Sequence, residues 1–195
     1  MTAGEAPRRR QNRRGQGGLL RAEIEQAALK LLDELGSPEL VTLRGVARAA
    51  GITGPAIYPH FPGLSELQAR LREMAFDQIA EETNAAVAEI TDPRAEMLAR
   101  YSAYVELGFA YPARRKLILT PGNEVSLGAR VAFDGLVDVL NRCVAAGESA
   151  STDPALDTAL LLAALTGLVQ TRDAFPLPPL DAAIGEMVTR LAKLR

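Results

Sequence analysis

Five arginines crowd into the first fourteen residues: Arg8, Arg9, Arg10, Arg13 and Arg14. Guanidinium groups at this density on a Gly- and Gln-rich segment have almost nothing to bury, so residues 1–18 are expected to be disordered when free. Such a cluster neutralises phosphate, either along a nucleic-acid backbone or in a minor groove. A solvated tail that aids solubility is the plainer alternative. The arm is favoured because the cluster directly precedes the first helical stretch. Catalytic chemistry has little to work with. The chain holds one histidine, His60, and one cysteine, Cys143. That excludes most nucleophile–base pairs, and the chain shows no His/Cys metal spacing, Gly-rich phosphate loop or Ser/His/Asp set. No enzyme activity, metal or cofactor is expected. Cys143 reads as a buried small hydrophobe before it reads as a redox sensor. A single thiol fits a reducing cytoplasm.

The element that must position the remaining polar groups runs from Thr42 to Phe61, TLRGVARAAGITGPAIYPHF. Thr42 can cap a first helix. Leu43, Val46, Ala47 and Ala50 recur at helical spacing, and Gly51 follows where a helix stops in the left-handed conformation. Ile52 anchors the turn, and Thr53 caps a second helix from Gly54 to His60 whose inward residues are Ile57 and Phe61. This is a helix-turn-helix pattern, in which the second helix enters the DNA major groove. A small helical hairpin with no partner is the competing reading. Against it, the second helix is too short to be stable alone, yet its outer residues are small, as if something must approach closely. Thr42, Tyr58 and His60 are candidate phosphate contacts through hydroxyl and imidazole donors. Arg44 can reach phosphate or a guanine edge. Thr53, Gly54, Pro55 and Ala56 head the recognition helix. Gly, Pro and Ala carry no side-chain hydrogen bond to a base, so thymine methyls and DNA shape are the expected readout, with polar contacts from Arg44 and the arm.

These residues resemble the TetR family of bacterial transcriptional regulators. The family pattern is met by Thr42, Val46-Ala47, Ala50-Gly51-Ile52-Thr53, Ile57-Tyr58 and His60-Phe61. The resemblance implies an all-α fold, phosphate contacts from Tyr58 and His60, and dimerisation through the last two helices. One departure is plain: the family continues Phe-x-x-Lys, whereas this chain reads Phe61-Pro62-Gly63-Leu64, without the phosphate-touching lysine. Tyr104, Pro112 and Leu117-Ile118-Leu119 are similar to the start of the regulatory domain in one branch of the family, with Leu107-Gly108 in place of Phe-Ala. Of that branch's Trp-x-x-x-His-Gly only Gly167 is kept.

Composition agrees with an all-α chain of about nine helices: 48% hydrophobic, 24% charged, few aromatics. Residues 1–60 hold nine Lys/Arg against six Asp/Glu, a balance of +3, and the remainder thirteen against eighteen, a balance of −5. A basic front and an acidic back suit a protein that presents one end to phosphate. The expected organisation is an arm over 1–18, a DNA-binding domain over 19–64, and a helical regulatory and dimerisation domain over 65–195. The longest apolar run, Ala159 to Leu165, falls far short of the roughly 20 residues that span a bilayer. No membrane association is therefore expected, and no secretory signal precedes the first helix. Helices are expected over 19–35, 64–90, 93–111, 124–146, 154–172 and 180–194, besides the helix-turn-helix and a short helix ending at Leu119.

A ligand cavity is expected between helices of the larger domain, with Met74, Gln78, Tyr101, Tyr104, Val105, Gly108, Phe133 and Val137 as candidates. Each also reads as plain core. A mostly neutral lining points to a small apolar or aromatic molecule. The penultimate helix is apolar over more than one side, which a homodimer would bury. Leu160, Ala164, Gly167, Leu168, Ile184, Met187, Val188 and Leu191 are the candidate interface. Three functions follow: a dimeric repressor released from a near-palindromic operator by a ligand, a DNA-binding protein regulated by a partner or acting architecturally, and a small-molecule carrier.

Overall fold

The computed structural model describes residues 17–120, 126–172, 174, 176 and 178–195. The arginine cluster lies outside these residues. Among the described residues the chain forms nine α-helices: α1 (Gly17–Leu35), α2 (Leu43–Ala49), α3 (Gly54–Ile57), α4 (Leu64–Ala86), α5 (Pro93–Ala110), α6 (Pro112–Leu119), α7 (Leu127–Ala145), α8 (Pro154–Thr171) and α9 (Leu180–Leu191). The described β-structure is one isolated antiparallel bridge, Ser149 to Leu194. The chain divides into two compact units at Arg72/Glu73, inside α4 rather than at its start. The first two turns of α4 join the N-terminal unit because Leu67 and Leu71 are buried and Arg70 pairs with Glu25 of α1.

In the N-terminal unit, Ile24 and Leu32 of α1, Val46 of α2, Ile57 of α3, Phe61 and Leu67 are all essentially without solvent exposure. Burying each such side chain contributes roughly 1.5–3 kcal/mol, which holds α2 and α3, two short helices that would not persist alone. In the second unit α5 is central, packing on α7, α8 and α9. Its Met97, Tyr101 and Val105 share one core cluster with Leu140, Leu165 and Val188. Glu96 of α5 is also buried, and its charge is met by Arg100 at 2.9 Å and by Arg142 of α7 at 2.7 Å.

The caps of α5 and α8 are where the sequence places them. Asp92 accepts the Ala95 N–H at 2.7 Å and Asp153 the Leu156 N–H at 3.1 Å. Four helix ends here differ from expectation, the first being that of α1, which begins at Gly17, inside the arm expected over 1–18. The last turn of the 64–90 helix opens at Ala86. α7 is described from Leu127, where Ser126 Oγ accepts the Ala129 N–H at 3.0 Å. α9 stops at Leu191, because the chain reverses through Lys193 (φ 53°) so that Leu194 can bridge Ser149. That reversal is latched: Lys193 Nζ donates to the buried Asp157 carboxylate at 2.8 Å, and Ser151 Oγ donates to the same group at 2.6 Å. By length and composition α8 is apolar enough to cross a membrane, at a mean hydropathy of 1.3 over 18 residues. In this fold one face of it lies against α5, α7 and α9, and it carries the buried Asp157.

Candidate nucleic-acid interface and ligand cavity

The turn between α2 and α3 begins at Gly51, whose φ of +67° belongs to the left-handed region that favours glycine. The Ile52 N–H then donates back to the Ala47 carbonyl at 2.9 Å, fixing the turn against α2. Thr42 Oγ accepts the Gly45 N–H at 3.1 Å. A Cβ on Gly45 would meet that oxygen at 3.1 Å and Leu31 at 3.4 Å, so glycine permits the close approach of α2 to α1.

Thr53 departs from the sequence reading. It stands at the N-cap of α3 with extended backbone, but its side chain makes no capping bond. The reason is local. The second helical residue, Pro55, has no N–H, and the N–H of the third, Ala56, donates to the Thr53 carbonyl at 3.0 Å. The Thr53 side chain is therefore exposed without a capping role. α3 is a single turn to Ile57, extended by tighter turns to His60, where two helical turns were expected.

Thr42, Arg44, Thr53, Pro55 and Tyr58 are exposed, and Gly54, Ala56 and His60 are partly so. Arg48, one turn beyond Arg44, shares its face and its exposure. Among the described residues neither arginine pairs with a carboxylate. Sequence reasoning missed Arg48; the four-residue spacing from Arg44 was the signal.

The end of α3 is held from behind by Arg21 of α1. Its guanidinium lies 4.6 Å from the centre of the Phe61 ring, and its Nη1 donates to the His60 carbonyl at 3.1 Å. Its Nε donates to Glu25 at 3.0 Å, and Arg70 of α4 donates to the other oxygen of Glu25 at 3.1 Å. A buried carboxylate thus joins α1, the recognition turn and the start of α4.

In the second unit a cavity lies between α4, α5, α6 and α8, with a wider space running on beside α7. Gln78, Tyr104 and Gly108 line the first part, Tyr104 and Phe133 the second. The Tyr104 hydroxyl and Thr166 Oγ1 are 3.0 Å apart across the wall. Met74 and Val137 are half-buried and line neither part. Tyr101 and Val105 belong to the core rather than to a wall. One helical step of about 100° separates Val105 from Tyr104, and α5 turns one to the core and the other to the cavity.

No protein-family model and no curated protein matches the chain. Solved structures do. A protein from Rhodococcus sp. RHA1 with unknown function superposes with a TM-score of 0.73 at 23% identity, over 93% of this chain and 95% of that one. A TetR-family transcription regulator from Shewanella sp. PV-4 gives 0.66 at 18% identity, over 89% and 96%. AibR, solved with isovaleryl coenzyme A and operator DNA, gives 0.62 at 17%, over 90% and 100%. This chain has the TetR-regulator fold.

In this TetR fold, the residues expected at an interface separate into two groups. Leu168, Ile184 and Val188 point inward and join the core cluster. Leu160 is exposed, as are Leu156 and Ala163, while Ala164, Gly167, Met187 and Leu191 are partly so. α8 carries apolar residues all round, so its sequence could not say which of them face the protomer's own core. Cys143 is fully buried, and burial pushes its thiol up to about 11, which fits a packing residue.

Proposed function

We propose that this protein is a TetR-family, sequence-specific DNA-binding transcription regulator. In this reading residues 17–72 bind DNA, the arm over 1–16 follows the backbone, and 73–195 form the regulatory and dimerisation part of a cytoplasmic homodimer. The observation that carries it is the exposed α2–turn–α3 surface, with Thr42, Thr53 and Tyr58 beside two arginines, Arg44 and Arg48, that no carboxylate neutralises among the described residues. Two further observations support regulation by a ligand. The second unit contains a cavity walled mostly by apolar side chains, and AibR, similar in fold, was solved with both an acyl thioester and operator DNA. The outward apolar residues of α8 support a symmetric dimer, which places two recognition helices on a near-palindromic site. The simplest regulator of this kind is a repressor: a ligand that favours a differently spaced dimer lowers affinity for the operator.

The test is the salt dependence of binding to a duplex recovered by selection. Each phosphate contact contributes about 0.9 to the slope of log affinity against log salt. Replacing Arg44 and Arg48 by Ala should reduce that slope by about two with helical content unchanged. An unchanged slope removes these residues from the interface.

A further inference from the structure

The cavity of the second unit has two limbs of different character. The wide limb, about 500 Å³, is walled by Phe76, Ala132, Phe133, Leu136 and Leu162, with no ionisable group besides Tyr104 among its described lining. That size suits a small organic molecule. The narrow limb is about 40 Å³ and shares Ile79, Tyr104, Ile118, Leu119 and Thr166 with the wide one. Its described lining includes two guanidinium groups, Arg114 and Arg115, and no carboxylate.

The two arginines are held differently. Arg114 donates to the Gln78 side-chain carbonyl and stacks 4.3 Å from the centre of the Tyr111 ring. Arg115 is half-buried, its Nη1 donates to the Gly108 carbonyl at 2.9 Å, and among the described residues it pairs with no carboxylate. Arg100, which lines a neighbouring space, gives the contrast: its charge is met by Glu96 at 2.9 Å. A half-buried guanidinium whose partner is a neutral carbonyl gains most from an anion, which takes two parallel charge-assisted bonds. The space agrees. One water needs roughly 10–15 Å³, so the narrow limb holds about three such groups, the size of a carboxylate.

We infer that the cavity takes an apolar monoanion, its carboxylate on Arg115 in the narrow limb and its hydrocarbon or aromatic body in the wide one. This rests on the ligand-responsive reading above and narrows the small apolar or aromatic molecule expected from sequence to an acid.

The test is calorimetric titration of the full chain with decanoate and decyltrimethylammonium, each kept below its micelle concentration, and with decanol kept below its solubility limit. The expected result is one decanoate per protomer, decanol at least tenfold weaker, and the cation weaker still. Arg115→Gln should abolish the preference of decanoate over decanol, while Arg115→Lys, which keeps the charge, should retain part of it; circular dichroism checks that both variants fold. Decanol binding as tightly as decanoate, or a preference that survives Arg115→Gln, overturns the inference but leaves the cavity a ligand site. A preference lost equally in Arg115→Lys and Arg115→Gln also overturns it, because charge would then not be what matters. Binding of none of the three overturns both this inference and ligand release, while the DNA-binding reading stands or falls on its own selection experiment.

Discussion

Replacing Arg21 by Ala should loosen the recognition turn without unfolding the molecule. The magnitude follows from three interactions. The bond from a charged guanidinium to the His60 carbonyl, 3.1 Å long and partly exposed, contributes about 1 kcal/mol, below the range for buried charged bonds. Stacking over Phe61 at 4.6 Å adds roughly 0.5–1 kcal/mol. The ion pair with Glu25 adds about 0.5 kcal/mol or less, because the Arg21 side chain is 49% exposed. Arg70 still neutralises Glu25 in the variant, so no buried charge is orphaned. The sum is about 2 kcal/mol, or roughly a thirtyfold increase in local opening. Native-state hydrogen exchange at the Phe61 amide, which donates to the Ile57 carbonyl at 2.9 Å, reads it directly. Exchange at Phe61 should speed by about that factor while amides of α7 keep their rates, and affinity for a selected duplex should fall. Unchanged exchange at Phe61 would refute the reasoning, since Arg21 would then hold nothing.

Three further outcomes are expected. Gly51→Ala should cost roughly 1–2 kcal/mol in urea unfolding, because a Cβ there meets nothing within 4 Å and the whole cost comes from the φ of +67°. The hydrogen-bonded Arg142 guanidinium holds the Glu96 carboxyl below its ordinary 4.5 against the opposing effect of burial. The stability it contributes is full above pH 4.5 and lost as pH falls through the lowered value, so Glu96→Gln should flatten the acid limb of a plot of Tm against pH. Cys143, pushed up to about 11, should stay unmodified by a thiol reagent at pH 8 and react once urea unfolds the chain.

What the sequence made legible was local. Thr42, Asp92 and Asp153 cap helices because each needs only a neighbour three residues on, and Gly51 announces its turn by its own backbone freedom. The apolar stripes place nine helices for the same reason. What stayed hidden depends on partners far along the chain. Arg115 meets the carbonyl of Gly108 on the preceding helix, but the cavity it faces also needs α4 and α8. Glu25 looks like one more surface acid until Arg70 of α4, 45 residues along the chain, closes over it. Leu168 could not be divided from Leu160 by periodicity, because α8 has no polar face to mark solvent. The missing lysine after Phe61 was legible, and in the fold Arg48 offers a second exposed cation on α2.

The most direct test of the central claim is selection of bound duplexes from a random DNA pool by the purified full chain at near-physiological salt. A near-palindromic motif with half-sites about one helical turn apart is the expected result. Recovery of unrelated sequences, with binding that only salt abolishes, would contradict it: the arm would then supply the affinity and the α3 surface would specify nothing.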